Sequence, residues 1–488
     1  MNPIHLASHS RRAFLGRMAQ LAAAGAATPL GLNLAAMGEA AAFGATDYKA
    51  LVCVFLYGGN DYANTVVTYD DPSWNLYRGI RSSGPGPAGL AIEKTALAAT
   101  RLVPSTALAG GREYALHPAM GGLATLFNSG QAATVLNVGP LVKPTTKDEF
   151  YNPNRVLHPL PPQLMSHNDQ QSVWQAQDAE GATVGWGGAI GDLALANNTQ
   201  SLFTCISAAG NGVFLSGQTA TQYQLSTAGA IPCRAARDGL AGLPSPARGA
   251  IAMTELITQP RTHVLENEYT RVTRRSIEAE RLVTGALAGV TLATPFPSGN
   301  SLADQLKVVA KVIGARTALG NKRQVFLVSM GGFDLHDNLI ENQPVLLGKV
   351  STAMTAFYNA TAELGLADKV TAFTASDFGR TLTSNGNGTD HGWGGHHLVV
   401  GGAVRGKAIY GTAPPVSIGN TAAAADQWHI GQGRLIPSSS VDQYAATLAR
   451  WFGVGAGELN ALLPNLSNFG AAAGRPDYPA DLGFMAPV

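Results

Sequence analysis

The sequence is poor in cysteine and in charge, and each shortage excludes a class of protein. Its 488 residues include three cysteines, too few for the disulfide frameworks of small secreted domains. Charged residues make up 13% of the chain, about half of the ~25% typical of soluble proteins. Lysine plus arginine (33) nearly equals aspartate plus glutamate (32), so the net charge is +1. This balance removes the basic excess expected of a nucleic-acid-binding protein.

What the chain has in quantity is apolar residues and glycine. Hydrophobic residues make up 45% of it, and there are 57 glycines; this composition indicates a large core with many tight turns rather than disorder. Cys53 lies inside an apolar run and is expected to be a small buried side chain. A disulfide between Cys205 and Cys233 is left open, because their spacing does not decide it.

The first 45 residues have the pattern of an export signal. The sequence Arg-Arg-x-Phe-Leu at 11–15 precedes a mildly apolar Ala/Gly/Leu stretch, and small residues follow near 40–45. Polar residues and a proline interrupt that stretch, whereas a membrane-spanning helix would be apolar over about 20 residues. The motif resembles the twin-arginine leader, which directs folded proteins to the twin-arginine translocation machinery. We therefore predict a periplasmic or secreted mature protein with no stable membrane span.

The mature chain has the periodicity of an α/β fold. Short apolar runs ending in glycine-rich loops predict buried parallel strands at 50–56, 324–329, 370–375 and 398–400. Helical periodicity is found at 262–287, 301–315, 345–364 and 439–451. This alternation predicts a mostly parallel central sheet with helices on both faces. We expect one domain, 46–488, with insertions near 80–112 and 207–300.

Aspartates and histidines follow, or shortly precede, these predicted strands. They are Asp61, Asp334 with His336, Asp377, and Asp390-His391 with His396 and His397 ahead of 398–400. Open parallel sheets bind their ligands at the carboxyl ends of strands, and carboxylates with imidazoles suit zinc or manganese. A helix cap or a turn would explain one such loop. The same kind of loop after successive strands favours a metal site, because carboxylates rarely converge without a cation.

Five motifs in order give the chain a specific resemblance. They are Gly-Gly-Asn-Asp at 58–61, Ser-His-Asn-Asp at 166–169, Gly-Gly-Phe-Asp-Leu-His at 331–336, Ser-Asp-Phe-Gly-Arg-Thr at 376–381 and Gly-Thr-Asp-His-Gly at 388–392, followed by a matching tail at 433–444. Over about 48–455 the chain resembles the bacterial family called domain of unknown function 1501, which is grouped with alkaline phosphatases and sulfatases. The resemblance implies an alkaline phosphatase-like fold and hydrolysis of phosphate or sulfate esters with one or two metal ions.

The resemblance also implies a set of metal ligands. Asp61 and Asp377 would hold one cation, while Asp334, His336 and His391 would hold the other; Zn²⁺ or Mn²⁺ is expected, with Ca²⁺ as a further option. Phe378 stands where the related enzymes have a histidine after the aspartate, which removes one imidazole from a two-metal site. His396 and His397 would either support the ligands or only flank the last strand.

The nucleophile has two candidates. Ser166 precedes a predicted helix, whose N-terminus stabilises an anion, although serine is also a common helix cap. Cys233, in Cys-Arg-Ala-Ala-Arg, resembles the signal that sulfatases convert to formylglycine. His167 and Arg380 are predicted to clamp the oxyanion of the substrate, with structural pairing as the alternative.

Two functions of different class follow from these residues. The first is an exported metal-dependent hydrolase acting on a small-molecule or glycan ester. The second is a non-catalytic cell-envelope protein for assembly or binding that keeps the fold with a degraded metal site, which Phe378 favours. A serine esterase is disfavoured, because the Gly-x-Ser-x-Gly nucleophile elbow is missing.

Overall fold

The computed structural model describes residues 44–86, 89–239 and 245–487. Apart from its last two residues, the predicted leader at 1–45 lies outside the described residues, so its assignment stays a prediction. Within the described ranges, no helix combines the length and the apolarity needed to cross a lipid bilayer.

Twelve strands are found in the described part of the chain. They are β1 (Lys49–Leu56), β2 (Val66–Thr68), β3 (Tyr114–Leu116), β4 (Ala132–Gly139), β5 (Cys205–Ser207), β6 (Gln222–Ser226), β7 (Gly229–Ala230), β8 (Arg323–Met330), β9 (Val370–Ser376), β10 (Gly395–Val400), β11 (Ala408–Tyr410) and β12 (Ser439–Ser440). Ten of them form one sheet in the order β11-β4-β10-β9-β1-β8-β5-β6-β7, with β12 beside β4. Strands β9, β1, β8, β5 and β6 run parallel, whereas β10 is antiparallel to both of its neighbours.

Helices connect and cover these strands. They are α1 (Tyr62–Thr65), α2 (Asp71–Ile80), α3 (Lys94–Leu97), α4 (Gly121–Asn128), α5 (Lys147–Tyr151), α6 (His167–Ala176), α7 (Trp186–Ala194), α8 (Arg234–Asp238), α9 (Pro246–Thr258), α10 (Val264–Ala288), α11 (Ser301–Gly314), α12 (Arg316–Leu319), α13 (Leu339–Glu363), α14 (Val441–Phe452) and α15 (Ala456–Leu462).

Strand β1 lies in the middle of the core, and its alternating side chains separate two apolar layers. Ala50, Val52 and Val54 pack in the cluster that includes α11 and α13, while Leu51, Cys53 and Phe55 pack in the one that includes α7 and α14. The prediction of an α/β fold with helices on both faces of a mostly parallel sheet is confirmed.

The predicted elements are present, with some altered boundaries. Helix α13 begins six residues before the predicted start at 345 and continues through Pro344, where a helix break is the usual expectation. The sequence missed β4 and the short β5, and within the predicted insertion at 207–300 the strands β6 and β7 extend the sheet. Cys53, Cys205 and Cys233 are all free thiols, so the Cys205–Cys233 disulfide is not formed.

Candidate metal centre

The site residues meet because three parallel strands end at one level. Leu56, the last residue of β1, pairs with Met330 of β8 and with Ser376 of β9. The loops that follow these strands contain Asp61, Asp334 with His336, and Asp377 with Arg380. Since β10 is antiparallel to β9, the loop before β10, with His391, starts from the same edge.

Two glycines after β1 let these loops approach one another. Gly58 and Gly59 have φ values of 118° and 79°, a region that L side chains rarely adopt. A Cβ on Gly58 would lie 2.3 Å from the backbone nitrogen of Asp334, and one on Gly59 would lie 2.4 Å from the Phe378 ring. The Gly58 N–H instead donates to Asp377 Oδ1 at 3.1 Å.

Helix α6 brings in His167 from an otherwise distant part of the chain. His167 Nδ1 lies 2.6 Å from Asp377 Oδ2, and one turn later Gln171 Nε2 donates to the same oxygen at 2.8 Å. The carboxylate of Asp377 is fully buried and serves as an acceptor, so Nδ1 of His167 holds the proton. In the neutral ring, Nε2 then presents a lone pair; it is buried and, within the described residues, has no hydrogen-bond partner.

Two further imidazoles have the same arrangement. His391 Nδ1 lies 2.9 Å from the carbonyl oxygen of Met165 and must donate to it. His336 Nδ1 lies 3.3 Å from Asp390 Oδ1. Fixing Nδ1 as the donor leaves Nε2 as the lone-pair nitrogen of each neutral ring.

These lone pairs converge on the carboxylate of Asp334. Nε2 of His391 lies 3.2 Å and Nε2 of His336 lies 3.1 Å from Asp334 Oδ1, and Nε2 of His167 lies 3.3 Å from Asp334 Oδ2. The Nε2 atoms of His336 and His391 are 3.0 Å apart. Lone pairs at this spacing repel unless protons or a metal ion lie between them.

Ligand atoms of His167, Asp334 and His391 all lie within 4.8 Å of one another, and we call these three residues the metal cluster. Two histidines and one carboxylate are the donor set of one class of catalytic zinc site, which keeps a further position open. Their Nδ1 atoms donate to a carboxylate and a backbone carbonyl, the outer contacts that metal-binding histidines usually make. The residues present therefore fit a divalent cation.

Neighbouring groups favour the metal-binding protonation state at Asp334 and His391 and oppose it at His167. Burial opposes ionisation of Asp334, but the hydrogen bond and the charge of Arg380, at 2.6 Å, lower its pKa. Burial lowers the pKa of His391, which favours the neutral ring. The hydrogen bond to Asp377 raises the pKa of His167, with burial acting in the opposite direction. A bound cation must displace any proton on that ring.

Phe378 contacts the cluster without being a ligand. Its buried ring lies 4.8 Å from the ring of His167 and 4.6 Å from that of His391, centroid to centroid. Where the resemblance implies a histidine, this chain therefore has an apolar ring that fixes the orientation of two imidazoles.

Asp61 forms a separate, closed ion pair. Arg81 Nη2 donates to its oxygens at 2.8 and 3.0 Å, and both side chains are almost completely buried. The N–H groups of Ala63 and Asn64 and the hydroxyl of Thr389 also donate to it. Asp61 is outside the metal cluster, and its assignment as a ligand stays a prediction that this pairing disfavours.

The structure gives several other predicted residues different surroundings. Ser166 is at the N-cap of α6, but its hydroxyl donates to Asp169 Oδ2 at 2.8 Å instead of capping the helix. Arg380 is fully buried and donates to Asp334, Thr389 and the carbonyl of Gly58, so it positions Asp334. Its assignment as an oxyanion clamp stays a prediction.

Cys233 and two histidines are also not part of the cluster. Cys233 follows β7. Strand β7 is the fourth strand from β1 in the sheet, which corresponds to a separation of about 19 Å between the two strands. His396 and His397 are buried on β10, and burial lowers the pKa of both to about 3. They are neutral core residues, bonded to the N–H of Asn137 and close to the Thr374 hydroxyl.

The sequence reasoning missed the groups that hold the imidazoles in place. Gln171 is four residues after His167, on the same helical face, and this spacing could have revealed it. The carbonyl of Met165 and the contact of Asp390 with His336 depend on loop geometry and gave no sequence signal. Arg434 was noted only within a motif; its Nε donates to the carbonyl of His391 at 2.7 Å.

A family model described as "Protein of unknown function (DUF1501)" matches residues 48–454. The chain belongs to the DUF1501 family. No curated protein matches this DUF1501 chain.

Solved structures resemble the DUF1501 chain only distantly. Ps i-CgsB in complex with k-i-k-neocarrahexaose is 10% identical, with 86% of this chain and 74% of that one covered and a TM-score of 0.35. The lipoteichoic acid synthase LtaP from Listeria monocytogenes is 9% identical, with coverages of 86% and 77% and a TM-score of 0.33. At such TM-scores the likeness supports no conclusion about activity.

Proposed function

We propose that this DUF1501 chain is a metal-dependent hydrolase of phosphate or sulfate esters with one divalent cation, Zn²⁺ or Mn²⁺, held by His167, Asp334 and His391. The observation that supports a cation best is the convergence of the Nε2 atoms of His167 and His391 on the carboxylate of Asp334, while the Nδ1 of each ring is held by an acceptor. A bound divalent cation supplies Lewis acidity and lowers the pKa of a hydroxyl or water.

The chain's own residues prepare the site for that chemistry. Asp377 and the carbonyl of Met165 hold His167 and His391 in the tautomers that direct Nε2 inward. Arg380 holds Asp334 in place through a 2.6 Å hydrogen bond. Asp334 keeps 43% of its side-chain surface exposed, so the cluster is open to a substrate.

The position of Arg434 is evidence for an anionic substrate. Its Nε donates to the carbonyl of His391, while its two terminal nitrogens have no acceptor among the described residues. The guanidinium is partly buried beside His391. Burial lowers the pKa of Arg434, and the negative charge of Asp390 acts in the opposite direction. We propose that Arg434, instead of the fully committed Arg380, binds the anionic ester with the paired N–H geometry that arginine offers to oxyanions.

We assign the attack to a water molecule. No hydroxyl or thiol in the described ranges donates to His167, Asp334 or His391, and Ser166 is bonded to Asp169. The variant Ser166→Ala should therefore keep turnover within several-fold of wild type. A loss on the order of 10³ or more, as removal of a true nucleophile causes, would return the nucleophile to Ser166.

Metal content tests the cation site directly. Purified protein should contain close to one Zn²⁺ or Mn²⁺ per chain by elemental analysis, and Asp334→Asn, His167→Ala and His391→Ala should lose it while retaining the wild-type circular dichroism spectrum. His263→Ala is the matched control, because His263 is an exposed histidine just before α10 and is not part of the metal cluster. Wild-type protein that stays metal-free after reconstitution contradicts the proposal.

Turnover of an aryl phosphate and an aryl sulfate, with Zn²⁺, Mn²⁺ or Ca²⁺ added, separates the hydrolase from the second candidate function. The absence of a bonded hydroxyl or thiol at the cluster favours that candidate, a non-catalytic envelope protein that binds metal. Metal binding without turnover of either ester would support it.

We also propose export by the twin-arginine machinery, on the evidence of the motif at 11–15 alone. Replacing Arg11 and Arg12 together by lysine should leave the protein in the cytoplasm, as judged by cell fractionation. Periplasmic recovery of this variant at the wild-type level would contradict this route.

A further inference from the structure

The first half of α10 has an exposed apolar surface. Val264, Leu265 and Tyr269 expose 79%, 74% and 72% of their surface, and Val272 exposes 43%. The first three are among the four most exposed large hydrophobic residues that the structure describes. Such an apolar concentration within nine residues marks a surface that another molecule covers.

The exposed residues form a stripe along the helix. Leu265, Tyr269 and Val272 have i, i+4, i+7 spacing, which places them on one face. Thr270 and Ile277, on the other side of α10, are buried. Further along the stripe, Ala279 and Val283 are buried as well, so the exposed part ends near Ser276. We call Leu265, Tyr269, Val272 and Ser276 the α10 stripe.

The charges on α10 favour a protein partner over a membrane. The helix contains four glutamates and four arginines, whereas helices that lie on anionic lipid have a basic polar face. Glu268 and Arg275 are seven residues apart and follow the same edge of the stripe. In a coiled coil, residues flanking an apolar seam in this way select the partner and its direction.

We infer that the α10 stripe is covered by the same stripe of a second copy of this chain, in antiparallel orientation. A two-fold axis between Thr270 and Arg271 places Tyr269 against the partner's Val272, and Leu265 against the partner's Ser276. It also brings each Glu268 close to the partner's Arg275. The stripe is thus complementary to itself in charge, as a two-fold interface requires.

The present partners of these charges do not prevent this pairing. Glu268 lies 3.4 Å from Arg271 and 3.7 Å from Arg275 of its own helix, and all three side chains are more than half exposed. Exposed ion pairs of this kind contribute little to stability, so exchanging them for pairs between chains costs little. The inference does not depend on the proposed hydrolase activity, since no residue of the stripe belongs to the metal cluster.

Charge reversal tests the antiparallel arrangement by analytical ultracentrifugation. Wild-type protein should be dimeric, whereas Glu268→Arg and Arg275→Glu should each raise the dimer dissociation constant at least tenfold, because each places like charges opposite one another. An equimolar mixture of these two variants should form a heterodimer, since both pairs between chains are then of opposite charge. Pairing within one helix does not predict that recovery.

Glu278→Arg is the matched control, because Glu278 lies on the cleft between α9 and α10, away from the stripe; it should dimerise like wild type. Tyr269→Lys should be monomeric with the circular dichroism spectrum of the wild-type protein, which shows that the fold is intact. A monomeric wild-type protein at tens of micromolar, or a mixture of the charge variants that stays monomeric, overturns the inference.

Discussion

Two aspartates at the same edge of the sheet are neutralised in different ways. Asp61 is buried with Arg81, which donates to both of its oxygens, and three further donors complete its surroundings. Asp334 has one hydrogen bond from Arg380 and faces three imidazole nitrogens. Thr389 connects the two aspartates indirectly, since it donates to Asp61 and accepts from Arg380, the partner of Asp334.

The difference shows what separates a structural carboxylate from a metal-ligand candidate. Asp61 and Asp334 both follow strands that end at the same level, and both are preceded by Gly-Gly within the loop. Asp61 has a counter-charge and hydrogen-bond donors from its own chain, so an added cation would have to break an existing ion pair. Asp334 faces lone pairs, which need a proton or a metal ion.

The largest expected effect is a loss of stability when the buried ion pair between Asp61 and Arg81 is broken. Arg81→Met should lower the free energy of unfolding by about 3–5 kcal/mol, because Asp61 is left buried without its counter-charge. Denaturant unfolding in the presence of EDTA measures this. Asp334→Asn, under the same conditions, should lower stability by less than Arg81→Met does, since Asp334 is partly exposed and the buried Arg380 keeps its hydrogen bonds to Thr389 and to the carbonyl of Gly58.

The effects on metal content should have the opposite order, larger at Asp334 than at Asp61. Asp61→Asn should keep the metal of the wild-type protein, while Asp334→Asn should lose it. Loss of metal from Asp61→Asn in folded protein would show that Asp61 is a ligand and would remove the distinction drawn between the two aspartates.

The next effect concerns the contact that sets the tautomer of His167. Asp377→Asn should weaken metal affinity about 10–100-fold, the usual cost of losing an outer hydrogen-bond partner, because an amide no longer requires the proton on Nδ1. Asp390→Asn is the control, since Asp390 holds His336, which is outside the metal cluster. Competition with a chelator measures both affinities, and equal weakening by the two variants would place His336 among the ligands.

Most of the fold could be predicted from local patterns. The apolar runs ending in glycine fixed the positions of β1, β8 and β9, and periodicity located α11 and α14. No such pattern predicts β5, which has three residues, or the direction of β10, because strand direction depends on long-range pairing rather than on composition.

The site could be predicted only in part. Motif spacing brought Asp334, His336, Asp377 and His391 to one edge, and the structure places them there. Whether an aspartate is already part of an ion pair depends on a residue elsewhere in the chain, as with Asp61 and Arg81. Nothing in the sequence of the region 80–112 indicated that its Arg81 would pair with Asp61. His167 was predicted only as an oxyanion clamp, and its contact with Asp377 was not predicted because the two residues are 210 positions apart in the sequence.

A smaller effect is expected at Arg434. Arg434→Gln should raise KM for an aryl phosphate or sulfate on the order of tenfold with little change in kcat, if the guanidinium binds the anion uniformly in the ground and transition states. Arg434→Lys should restore part of the loss, since it keeps the charge without the paired donors. Calorimetry of inorganic phosphate binding gives a readout separate from turnover, and an unchanged affinity in Arg434→Gln would exclude this role.

Asp442 is a third kind of carboxyl group: it is buried and binds its proton more tightly than an ordinary aspartate does. Burial raises its pKa to about 7, although the hydrogen bond from Asn465 acts in the opposite direction. The folded protein therefore binds this proton more tightly than the unfolded chain does, whose aspartate has the ordinary value of 3.8. Stability from Asp442 should thus decrease as the pH rises from about 4 to about 7, because the folded state holds a proton that the unfolded state has already lost. Asp442→Asn, neutral at every pH, should not show that decrease, and parallel stability curves for the two proteins would mean that Asp442 is charged in the folded state.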